Sequence, residues 1–178
     1  MKKLILPLTE KDIILLRAGD EVSLTGAVYT ARDQAHKKIA AAIATHKKMP
    51  FTLKNALIYY CGPTHAPKGK ALGACGPTTS SRMDIFTPAL LKSGVKGMIG
   101  KGARSSQVRQ AIKKHKALYF LAYAGCGALL SRYVKKAEAI AFKELGPEAV
   151  YKLQVKDFPV IVGIDTKGTD VYKKRGIR

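Results

Sequence analysis

Hydrophobic and polar positions change period several times along the chain. Residues 21–30, "EVSLTGAVYT", read as a strand pair or one bulged strand with Gly26 in its middle. From about residue 31 to 48, Ala35, Ile39, Ala42 and Ile43 recur at the 3.6 spacing of an amphipathic helix. Thr30, three residues before Asp33, forms an acidic variant of the capping-box pattern. "NALIYYCG" (55–62) and "ALYFLAYAG" (117–125) carry the aromatic and branched apolar content of buried strands, and "GVKGMIG" (94–100) predicts a shorter one. "SSQVRQAIKKHK" (105–116) predicts a helix opened by serine, and "ALLSRYVKKAEAIAFKELG" a helix ended by Gly146. Residues 149–155 and 159–164 close the pattern as two more strands. This alternation of strand and helix predicts an α/β fold with a mixed sheet. With no internal repeat, low-complexity segment or linker, residues 1–178 are expected to form a single domain.

Composition narrows the picture. An apolar share of 47% in 178 residues supports a folded core. No apolar run reaches the roughly 20 residues of a membrane span, and the run in "MKKLILPLTEKD" is too short for a signal peptide, so a cytoplasmic location is expected. Cys61, Cys75 and Cys126 lack CxxC spacing, which points to neither a disulfide framework nor a zinc ribbon. The net charge of +20 raises nucleic acid as a partner class. The lysines, however, are spread over helix faces without basic-aromatic interleaving. Nucleic acid is therefore not the expected partner, and a non-catalytic basic nucleic-acid-binding module stands as the alternative. An acidic protein partner or an anionic substrate would use the same charge.

Candidate chemistry lies at the strand-to-helix junctions. Arg32 falls in the first turn after "AVYT", and "GPTTSSR" sits between a loop and a helix start. There Ser81 with Asp84, or Thr87 with Pro88, could cap the next helix. Lys101 directly follows the strand "KGMI", and "AGCG" (124–127) lies at a fourth junction. Ligands of open α/β sheets bind beyond the carboxyl ends of the strands, where helix starts offer free N–H donors. Two arginines, a lysine and a run of hydroxyls suit a dicarboxylate, with a phosphorylated ligand as the competing choice. No GxxxxGK[ST] or strand-linked GxGxxG supports nucleotide binding. His36 stands four residues after Arg32, one helical turn on, and is the only histidine given a candidate role.

Several blocks carry a resemblance: "LTGAVYTARDQAHKK", "YCGPT", "GPTTSSRMD", "MIGKG", "YAGCGALL" and "LGPEAVYKLQVKDFPVIVGIDTKG". Together, from about residue 5 to 170, they resemble the β subunit of the iron–sulfur class I fumarase and L-tartrate dehydratase family. The resemblance implies a swivelling β/β/α domain and a hydro-lyase that reversibly hydrates fumarate to L-malate, with L-tartrate dehydration as the alternative. It implies a partner α subunit carrying a [4Fe–4S] cluster, a small dicarboxylate substrate, and a higher oligomer of αβ pairs, with no metal on this chain. It assigns carboxylate binding to Arg32 and Lys101 and the substrate-wrapping loop to Thr78, Thr79, Ser80, Ser81 and Arg82. Thr78 matches the position of the catalytic base, and His36 a second active-site position. A hydroxyl is a poor base at neutral pH, so Thr78 needs cationic surroundings or a proton-accepting neighbour. The three cysteines, at strand ends near this loop, leave self-ligation of a cluster as a rival arrangement.

Overall fold

Alternation along the strands sends neighbouring side chains into two different cores. The structure, a computed structural model, describes residues 1–49 and 51–173. Its elements run β1 (Lys2–Ile5), α1 (Glu10–Ile14), β2 (Glu21–Thr30), α2 (Asp33–Ala44), β3 (Leu57–Tyr59), α3 (Thr87–Lys92), β4 (Gly97–Gly100), α4 (Ser106–His115), β5 (Leu118–Leu121), α5 (Gly127–Ser131), β6 (Val134–Ala141) and β7 (Val150–Ile164). Short 3₁₀ turns occupy Ser80–Met83, Lys143–Glu148 and Val171–Lys173. Strands β1 to β5 are parallel in sequence order, and β7 runs antiparallel to β2, β5 and β6. Because β7 pairs with both β5 and β2, strands β2, β3, β4, β5 and β7 close into a ring. The fold is thus α/β with a mixed sheet.

One core gathers the side chains on one face of that ring, including Leu57, Tyr59, Ile99, Phe120, Leu153 and Val162. The intervening positions Ile58, Tyr60, Met98 and Tyr119 meet the inward faces of α2, α3 and α4 in the second core. Val108 and Ile112 show the stripe that seats α4, and Ser105 caps that helix by accepting from the Val108 N–H.

Four expectations need correction. The helix expected to run to Gly146 stops at Ser131, and "VKKAEAIA" is instead strand β6. Its helix-forming residues yield to pairing with β7, and exposed Lys135, Lys136 and Glu138 give it the charged character of a protected edge strand. The two closing strands are one, β7. Pro159 falls where that strand's outer edge passes from β6, paired to Val155, to β5, paired from Ile161, so no ladder bond is lost there. The Thr30–Asp33 capping box does not form. Thr30 Oγ1 accepts from Tyr151 N and donates to Ala149 O, while Glu148 accepts from Gln34 N at the start of α2. Asp84 caps neither the turn nor α3, because its carboxylate accepts from Arg104 Nε (2.6 Å) and Ser105 N (2.7 Å). The single strand at 21–30 does carry its expected irregularity, a register shift between Leu24 and Gly26. Gly26 has a φ of +132°, and a Cβ there would meet Leu6.

Arg104 ties three elements together. Its buried guanidinium also donates to Thr87 Oγ1 (2.7 Å) and lies over the Tyr60 and Tyr119 rings at 5.3 and 5.0 Å. Truncation leaves Asp84 without its ion-pair partner. Arg104→Ala is therefore expected to cost about 3 kcal/mol of unfolding free energy, measured by denaturant titration.

His36, at 0% exposure, packs edge-on to Tyr60 (5.3 Å between centroids) and stacks on Phe86 (5.9 Å). Burial pushes its pKa down to about 4. The unfolded chain binds the His36 proton near pH 6.5 and the folded chain only near 4, so this contribution is full above pH 6.5 and is lost between 6.5 and 4. The loss is expected to reach about 3 kcal/mol, read as the difference in stability slope between the parent chain and His36→Leu across that window.

Candidate active site

The parallel strands deliver the sequence-predicted residues to one edge of the sheet. Thr30 ends β2 two residues before Arg32, and Gly100 ends β4 directly before Lys101. The hydroxyl loop is stitched to this edge by its backbone. Thr78 N donates to Tyr60 O (2.6 Å), Ser80 N donates to Lys101 O (3.0 Å), and Thr79 pairs with Lys101 as an isolated parallel bridge. On the other side, Ala31 N donates to Tyr59 O (3.0 Å), which holds the start of α2 against the end of β3.

The four hydroxyls are not equivalent. Ser80 is fully buried, and its Oγ lies 2.8 Å from the Tyr119 hydroxyl, which also lies 2.8 Å from Gly102 O. Gly100 makes room for it, since a Cβ at that position would sit 1.9 Å from Ser80 Oγ. Ser80 thus anchors the loop. Thr78 is half-buried, Thr79 and Ser81 are exposed, and their side-chain hydroxyls have no hydrogen-bond partner among the described residues.

The cations divide in the same way. Arg82 is engaged: its Nε and NH2 donate to the two carboxylate oxygens of Asp33, the former at 3.0 Å. Its remaining N–H groups stay free to receive a ligand. Arg32 lies against Gly62, where an added Cβ would come within 2.7 Å of its NH1, and its NH2 is 3.9 Å from Glu148 Oε1. Arg32 Nε is buried without a partner among the described residues. Lys101 is half-buried, and its ammonium makes no ion pair there either. The Lys101 ammonium and the Thr78 hydroxyl therefore stand unpaired at one edge, the condition under which an incoming carboxylate gains hydrogen bonds, and Arg32 at the same edge carries a buried Nε without a partner among the described residues.

His36 is turned the other way. Its Nδ1 lies 2.8 Å from Arg32 O, while Nε2 is buried among rings without a partner among the described residues. The neutral imidazole has no exposed atom at the edge where Thr78 and Lys101 stand.

The cysteines lie behind the edge. Cys61 and Cys75 are buried and Cys126 is half-buried. A hydrogen bond to Cys75, with burial second, pushes the Cys61 thiol far up, so it stays protonated. No group of three or more His, Cys, Asp or Glu among the described residues could hold a single metal ion. His46 and His115 lie away from the edge, near the C-terminal ends of α2 and α4, and His65 is on the 62–75 loop.

Sequence reading missed Asp33, Glu148, Gly62 and Tyr119, which hold or shape the candidate groups. Asp33, Gly62 and Glu148 were visible inside the quoted blocks, but nothing in their spacing showed which arginine each would meet. Five surface concavities among the described residues are lined by residues other than Arg32, Thr78, Arg82 and Lys101.

Comparison with known proteins finds relatives along almost the whole chain. The family model described as Fumarase C-terminus matches residues 2–175. Fumarate hydratase 2 of Leishmania major is 40% identical over 158 residues, covering 88% of this chain but 28% of that protein. The putative L(+)-tartrate dehydratase subunit beta of Methanocaldococcus jannaschii is 38% identical over 174 residues, 94% of this chain and 89% of the relative. The L(+)-tartrate dehydratase subunit beta of Escherichia coli is 34% identical over 177 residues, 96% and 87% respectively. The chain thus spans little more than a quarter of the fumarate hydratases it matches and nearly all of the tartrate dehydratase β subunits. The family model's match over almost the whole length, with relatives of 34–40% identity, leads to one conclusion: the chain belongs to the Fumarase C-terminus family.

Proposed function

We propose that this chain is the β subunit of a heteromeric hydro-lyase that reversibly hydrates fumarate to L-malate, active only with an α subunit. The observation that carries the reading is the unpaired Lys101 ammonium and Thr78 hydroxyl beside Arg32, at the strand ends of a chain from this family. L-Tartrate dehydration is the second reading, favoured by the relatives of matching length, both named tartrate dehydratase β subunits. Both substrates present two carboxylates to the same groups.

In this reading, the [4Fe–4S] cluster belongs to the α subunit, where it would supply Lewis acidity toward the substrate. Arg32 and Lys101 receive the carboxylates, and Thr79 and Ser81 add neutral hydrogen bonds at the rim. Arg82 contributes its outward N–H groups while Asp33 fixes its plane. Dehydration removes a proton from the carbon beside a carboxylate while hydroxide departs from its neighbour. Negative charge grows on that carboxylate, where the two cations stabilise it most in the transition state. The same cations favour the deprotonated form of Thr78, whose Oγ1 is placed to exchange the proton. Among the described residues Thr78 Oγ1 has no proton acceptor, so its partner in that exchange comes from substrate or the α subunit. His36 is a positioning residue: its neutral ring donates Nδ1–H to the Arg32 carbonyl and is not an imidazolium acid at neutral pH.

The test is anaerobic co-expression with an α subunit, assaying fumarate and L-tartrate side by side. Loss of one charge-assisted contact, about 1.5 to 3 kcal/mol, is expected to lower kcat/KM roughly 10- to 100-fold in Arg32→Ala and in Lys101→Ala. Thr78→Val is expected to reduce kcat with little change in KM. Full activity in either cation variant would overturn the assigned site.

Asp33→Asn, which frees Arg82 without removing it, is expected to raise KM several-fold while kcat changes less. An unchanged KM would show that Asp33 does not orient a substrate-binding arginine.

A further inference from the structure

A second concavity, of about 1050 Å³, lies at the opposite end of the sheet from the candidate active site. Its walls come from the C-terminal end of α2, the segment leading into β3, and the C-terminal end of α3. Arg32 precedes the other end of α2, a helix of 12 residues and thus about 18 Å long. The floor is apolar: Ile43, Met49 and Phe51 are half-buried, Leu53 is buried, and the Phe51 ring stacks on Tyr29 at 4.8 Å. Exposed Lys47, Lys54 and Lys92 stand on its rim, and no acidic residue among the described residues lines it.

The positive potential continues past this rim. The neighbouring concavity is lined by Lys92, Lys114 and His115, and the pKa of His115 is lowered by burial and by Lys114, Lys96 and Lys92. In the sequence, Asp84 is the sole acidic residue between Asp33 and Glu138, and the Arg104 guanidinium neutralises it. Substrate capture does not account for cations at the far end of the sheet, where surface fields are screened within about 8 Å at physiological salt.

We propose that this groove docks an acidic amphipathic helix of another protein. Such a helix lays its apolar stripe on the Ile43–Phe51–Leu53 floor and its carboxylates against Lys47, Lys54 and Lys92. A second copy of this chain is the wrong occupant, because each copy carries a net charge of +20. Nucleic acid is a poorer occupant, because a phosphate backbone covers no apolar floor, and the exposed aromatic side chains, Tyr123 and Tyr172, line neither concavity.

The test uses the full chain and a fluorescent synthetic peptide of about four helical turns, with leucines at i, i+3 and i+4 spacing and glutamates on the other face. A composition-matched scramble and a DNA duplex of equal charge serve as competitors, at about 0.15 M salt. The patterned peptide is expected to bind roughly tenfold more tightly than the scramble, by anisotropy. Lys54→Glu with Lys92→Glu, both exposed substitutions, should remove that preference, while Lys101→Glu at the catalytic edge should leave it. No binding, equal binding of the scramble, more effective competition by the duplex, or loss of the preference in Lys101→Glu would each overturn the proposal. Hydratase activity is not read, so the outcome is independent of the proposed reaction.

Discussion

The site depends on a backbone constraint at the ends of β3 and β4. Gly100 has no side chain, so Ser80 can turn inward to Tyr119 and the Ser80 N–H can reach Lys101 O. That bond and the one from Thr78 N to Tyr60 O lay the hydroxyl loop across two parallel strands as though it extended the ladder. One hydroxyl is spent as an anchor, and its neighbours are presented to solvent. A loop fixed in this way keeps its polar groups unpaired at little entropic cost on binding, which is what preorganisation for an anion requires.

Charge is apportioned with similar economy. Arg104 is neutralised by Asp84 and seals the helix layer, and Arg82 is held in plane by Asp33. Arg32 is confined between Gly62 and the Lys143–Glu148 turn, yet keeps a buried donor without an acceptor. An unsatisfied buried donor is costly, and Arg32 Nε is one.

Much of this was legible in the sequence, because period and punctuation are local. Ser105 before an amphipathic stripe specified α4, and the apolar blocks around Ile58, Met98 and Phe120 specified the parallel strands. Placement of Arg32, Thr78 and Lys101 at strand ends followed from the order of those elements. What depends on distant partners was not legible. Lysines, alanines and a glutamate in "VKKAEAIA" favour a helix in isolation, and only the edge of β7 makes them a strand. Nor could spacing show that Asp33 would meet Arg82 across 49 residues of sequence, or that His36 would be sealed between Tyr60 and Phe86.

The most direct measurement is titration of the isotopically labelled chain with succinate, a dicarboxylate that cannot react, followed by amide chemical shifts. The expected result is saturable movement of the resonances of Arg32, Thr78 and Lys101, lost in Lys101→Ala. Movement centred instead on Lys92 and Lys114, or spread evenly over the lysine-rich helix faces, would contradict the assignment of this edge as the carboxylate site.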